Sequence, residues 1–86
     1  MHTVELLEQA MLAAERLGYK IRQDWLAGCG GGRCEFAGQQ WIFLDLTLSV
    51  PERLDQIAEA LGGDPAVHCL DLSSELRSAL KLRKSA

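Results

Sequence analysis

The chain has 86 residues, of which 48% are hydrophobic and 24% charged, with a net charge of −3 at pH 7. That balance excludes a disordered segment, which lacks the apolar side chains to form a core, and the length suits one small domain. A negative net charge repels nucleic acid and anionic lipid unless basic residues collect on one surface, and four of the nine Lys and Arg do collect, at Arg77, Lys81, Arg83 and Lys84.

The first residues carry Glu5, Glu8 and Glu15 among apolar side chains, with no basic leader before them. Neither a signal peptide nor a membrane span is expected, and the cytoplasm is the expected compartment. Thr3 can cap a helix whose stripe runs through Val4, Leu7, Met11 and Ala14, and Gly18 is placed to end it. The period then changes to two, with Tyr19, Ile21, Gln23 and Trp25 alternating with Lys20, Arg22 and Asp24, the pattern of a half-buried strand. Cys34 and Phe36 alternate with Arg33 and Glu35 in a short second strand, and Ala37-Gly38-Gln39-Gln40 supply a tight turn into a third.

That third strand, Trp41 to Leu46, is apolar on both faces until Asp45, which an antiparallel strand with one wet face would not be. Ser49, Pro51 and Glu52 form a capping box and helix start ahead of the stripe Leu54, Ile57, Ala58 and Leu61, closed by Gly62 and Gly63. Residues 66–70 read equally as a short strand or a helical turn. Asp71 or Ser73 then caps a last helix with Leu72, Leu76, Ala79 and Leu80 inward. The expected fold class is α+β: a helix, a three-stranded antiparallel meander, a helix and a short C-terminal helix, in one domain over 1–82 with a basic tail at 83–86.

The stretch AGCGGGRC joins the first two expected strands. Glycines there permit the positive dihedrals of a hairpin loop. Gly30, Gly31, Gly32 and Arg33 could also hold a small anion, although they run from strand to strand and no Lys-Ser/Thr follows, so a nucleotide loop is not expected. Cys29, Cys34 and Cys69 are the candidate thiol or metal ligands, with His68 beside Cys69. Their spacing is unusual for zinc, and the competing reading makes Cys34 and Cys69 small buried apolar residues. Neither His2 nor His68 has a serine and an acid beside it to suggest nucleophilic catalysis. Asp45 caps the turn after its strand or faces a cleft.

Gly30, Gly31, Gly32, Cys34, Gly38 and the pair Leu44-Asp45, followed by the Leu54/Ile57/Ala58/Leu61 helix, resemble a group of short bacterial proteins. They share GGGxC, then G, then an apolar strand ending in LD. The resemblance covers residues 18–61 and implies a bacterial origin but no activity. The element order is also similar to that of double-stranded-RNA-binding domains, whose lysine-rich helix start is replaced here by Val50, Pro51 and Glu52. The run from Trp41 to Leu61 is similar to the region around the zinc helix of ImmA-type metalloproteases, but no HExxH stands near Ala58 to Gly62.

These residues point to a small non-catalytic interaction or accessory module without a cofactor, whose partner is a protein or a second copy in a homodimer rather than nucleic acid or membrane. The expected interface is Trp25, Trp41 and Phe43, on the face of the sheet that two short helices leave uncovered and that needs cover either from the C-terminal helix or from another chain. The alternative is a thiol-based redox or metal-binding protein built on the CGGGRC hairpin.

Overall fold

A computed structural model of the chain describes residues 3–25 and 32–80. The elements are α1 (Thr3–Arg16), β1 (Lys20–Asp24), β2 (Gly32–Phe36), β3 (Gln39–Asp45), α2 (Val50–Gly62), a 3-10 helix (Pro65–Cys69) and α3 (Ser74–Ala79). Gly18, at φ 95°, ends α1 as expected. Its N–H donates to the Glu15 carbonyl at 3.0 Å and that of Tyr19 to Ala14 at 3.1 Å, which satisfies carbonyls left free at the helix end.

The strand order corrects the expected meander. The sheet runs β1-β3-β2, with β1 parallel to β3 and β2 antiparallel to it. The physical reason lies in the strands themselves. Only β3 is apolar on both faces, through Trp41, Ile42, Phe43 and Leu44, so it takes the central place, where neighbours flank it on both sides. Charged Lys20, Arg22 and Asp24 on β1, and Arg33 and Glu35 on β2, suit edges, where charge blunts unwanted pairing. The AGCGGGRC stretch is therefore not a hairpin turn between neighbouring strands: β1 and β2 are the two edges of one sheet. The hairpin that does form joins β2 to β3 through Ala37 (φ 53°) and Gly38 (φ 76°), the two positive values of a type I′ turn.

The helices form one layer on one side of this sheet. Ile42 and Leu44, both fully buried, meet Leu6, Leu7 and Ala10 of α1 and Leu54, Ile57 and Leu61 of α2. The capping box is present: Glu52 N–H donates to Ser49 Oγ at 3.3 Å and Ser49 N–H to Glu52 Oε1 at 3.0 Å. The ambiguous 66–70 segment is a 3-10 helix, capped by Asp64 and anchored by fully buried Val67. Ser73 caps α3, which turns Leu76 and Leu80 into the same core and packs on α1 and α2. The C-terminal helix α3 thus joins the helix layer rather than the far side of the sheet. The thinnest dimension of the molecule, 18 Å, has room for one helix layer on one sheet.

Candidate functional site

The register places the far side of the sheet residue by residue. Lys20 lies opposite Trp41 and Arg22 opposite Phe43 on one flank. On the other flank Cys34 lies opposite Trp41, Gly32 opposite Phe43, and Phe36 opposite Gln39. Residues directly opposite share a face, so Trp41 and Phe43 form the centre of an open surface with cations on the β1 side. The two rings stack in parallel, centroids 6.0 Å apart with 9° between planes, and Lys20 Nζ lies 5.7 Å from the centre of the Trp41 ring. Such contacts hold large side chains in place at a solvent boundary. Phe36 is 70% exposed at the rim, and the buried Trp41 indole N–H has no acceptor among the described residues.

Of the expected interface residues, Trp41 and Phe43 are therefore together on the open side. Trp25 is not part of that pair: β1 ends at Asp24, whose Oδ1 accepts from the Trp25 N–H at 2.8 Å, and the Trp25 side chain stands 70% exposed beyond the strand. Lys20, Arg22 and Phe36 complete the surface, and sequence reasoning missed them. Their signal was present in the two-residue alternation of β1, but it acquires meaning only once β1 is known to flank β3.

The candidate thiols are not brought together. Cys34 is exposed on the open side of β2, whereas Cys69 is exposed at the end of the 3-10 helix, which packs on α2 across the sheet. Both expectations of burial are corrected: an edge strand with no layer over its outer face has no core to offer Cys34, and at Cys69 the 3-10 turn gives its inward place to Val67. Cys29 lies outside the described residues. Among the described residues no three His, Cys, Asp or Glu side chains are grouped to hold a metal ion.

The candidate anion loop is described only in Gly32 and Arg33, since Gly30 and Gly31 lie outside the described residues. Gly32 has φ 101°. Arg33 Nη1 donates to the Tyr19 hydroxyl at 3.3 Å, and that hydroxyl donates to Asp64 Oδ2 at 2.9 Å. The hydrogen bond to Tyr19, and then the charge interactions with Tyr19 and Asp64, raise the guanidinium pKa above its ordinary value. This chain links the residue before β1, the β2 edge and the N-cap of the 3-10 helix. The shallow recess beside Arg33, about 340 Å³, is also lined by Glu59 and Gln56. A carboxylate on its wall disfavours an anion there.

Asp45 is 1% exposed and serves the turn. Its Oδ1 accepts from the Thr47 N–H at 2.9 Å and the Thr47 hydroxyl at 2.7 Å, while its own N–H donates to Gln56 Oε1 at 3.2 Å. This is a side-chain cap that carries β3 into the start of α2. Among the described residues no helix is long and apolar enough to cross a membrane. The chain matches no family model, no curated protein and no solved structure.

Proposed function

We propose that the chain is a non-catalytic interaction or accessory module whose working surface is the open side of the sheet. One observation carries this reading: the helices pack on one side, and the other presents the stacked Trp41 and Phe43 beside Phe36, Lys20 and Arg22. Large aromatic side chains flanked by cations supply contact area at low entropy cost and are enriched where proteins meet. Among the described residues Cys34 and Cys69 are free and exposed, which suits a reducing cytoplasm.

The test compares the immobilised chain with a Trp41→Ser/Phe43→Ser variant whose circular dichroism matches the wild type. A protein retained by the first, lost by the second, and bound again as a purified partner supports the reading. Equal retention by both chains sinks it.

A further inference from the structure

Among the described residues the open face is one unpartnered surface of the sheet, and the outer edge of β2 is another. In the two-residue hairpin, Phe36 and Gln39 flank the turn as a hydrogen-bonded pair. Alternation then makes Cys34 and Trp41 hydrogen-bonded, and Glu35 with Gln40 and Arg33 with Ile42 non-hydrogen-bonded. The N–H and C=O groups of Arg33 and Glu35 therefore point away from β3, along the free edge. Their one contact among the described residues is a weak Cys34 S–H at 3.8 Å from the Glu35 carbonyl. An edge of this kind is a template for another strand.

We propose that the strand it takes is β2 of a second copy, antiparallel, about a two-fold axis at Cys34, so that two three-stranded sheets become one of six. The five residues Gly32-Arg33-Cys34-Glu35-Phe36 are self-complementary in this register. Arg33 stands opposite Glu35 of the second copy in a hydrogen-bonded pair, and by symmetry Glu35 stands opposite Arg33. On the open face Phe36 covers the bare Gly32 position across the join, the device by which an aromatic compensates an edge glycine. Cys34 meets its own copy in the close, non-hydrogen-bonded position.

Neighbouring symmetric registers are worse. Shifting one way sets Arg33 against Arg33, and the other way Glu35 against Glu35, where like charges directly opposite destabilise. The β1 edge lacks this complementarity: the register that sets Lys20 against Asp24 centres Arg22 on its own copy, and Arg22 already pairs with Asp24 at 3.6 Å. On β2, Glu35 makes no side-chain hydrogen bond or ion pair with another described residue, and Arg33 spends one of its five donors on Tyr19. A two-fold axis normal to the sheet keeps both open faces on the same side, so the pair presents a doubled platform. The pairing deepens the interaction-module reading by naming a partner, but it uses the edge rather than the face, so the two fail separately.

The experiment is sedimentation at micromolar concentration with three chains. The wild type sediments as a dimer. Glu35→Arg and Arg33→Glu each set like charges opposite twice and weaken self-association roughly tenfold or more. Mixed together, these two variants restore every opposite-charge contact and form a heterodimer of near wild-type affinity, an outcome that misfolding would not give. Glu35→Arg also leaves the Arg33 contact with Tyr19 in place. In a chain with Cys29→Ser and Cys69→Ser, diamide takes one hydrogen from each Cys34 thiol and links the pair through a disulfide, and adding Glu35→Arg suppresses the link. A wild type that stays monomeric, single variants that associate as the wild type does, or a mixture that fails to recover would each overturn the proposal. So would a dimer dissociated by Trp41→Ser/Phe43→Ser but untouched by Glu35→Arg, which would move the interface from the edge to the open face.

Discussion

Ile42 and Leu44 are fully buried, while Trp41 and Phe43, interleaved with them on β3, are only partly covered. The four side chains differ little in hydrophobic character; what separates them is the side of the sheet on which the helices pack. On the covered side, aliphatic residues interlock with α1 and α2 at the density of a protein interior. On the open side, the aromatic rings stack on one another and Trp41 faces the Lys20 ammonium. The first arrangement stabilises this chain; the second leaves aromatic area outside the core, the surface proposed above for a partner.

The largest expected contrast is between adjacent positions. Leu44→Ala, on the covered side, leaves a cavity and should cost about 2–5 kcal/mol, enough to unfold much of a domain this size. Phe43→Ala should cost less than roughly 1.5 kcal/mol, mostly its stacking on Trp41. Urea melts of the two variants measure the difference, and equal losses would show that the open side is as much a core as the covered one. Asp45→Ala, where β3 ends, should cost about 1–3 kcal/mol because the Thr47 donors lose a part-buried acceptor; the same melts report it. Ala37→Asn should gain roughly 0.5–1 kcal/mol, since Ala37 holds a positive φ that Asn tolerates better and Asn-Gly favours the turn. A melting temperature higher by a few degrees would register it.

Cys34→Ser should change stability by less than about 0.5 kcal/mol, as expected of an exposed position away from any core. The smallest effect concerns acid. The Ser49 backbone N–H, and then the Ser49 hydroxyl, hold the Glu52 carboxyl below its ordinary pKa. A carboxyl depressed in the folded state contributes stability that is complete above the ordinary carboxylate range and is lost as pH falls through the folded value. Glu52→Gln should therefore make the acid limb of a stability-versus-pH curve shallower, with no change in slope near neutrality.

Local features were legible where local chemistry determines them. Gly18 as a stop, the Ser49 and Glu52 box, the α2 stripe and the two faces of β3 all follow from spacing within a few residues. The neighbour of each strand did not, because Lys20 and Trp41 are brought together by a pairing that no short window contains. Taking sequence neighbours for sheet neighbours gives the meander, whereas the exposure of Cys34 depends on which side of the sheet the helices cover. The Tyr19, Asp64 and Arg33 chain was equally hidden, since its members come from three separate junctions. Asp45 was legible in part: its place at the strand end suggested a cap, and the hydrogen bonds to Thr47 supply one.

The parallel pairing of β1 with β3 also bears on the order in which the molecule assembles. The β2–β3 hairpin closes over two residues, and a hairpin of that kind forms in about 1–10 μs. The partners Lys20 and Trp41, by contrast, are separated by the rest of β1, the segment after it, β2, the turn and the start of β3, and the entropy of closing a longer loop must be met before its contacts form. On refolding, the hairpin is therefore expected to close before β1 docks. At that stage β3 would expose its second edge as well as both of its apolar faces. A slowed docking step, as from Ile21→Gly in β1, would lengthen the interval in which β3 can be captured by a foreign strand, and would be seen as aggregation during refolding rather than as a lower melting temperature alone.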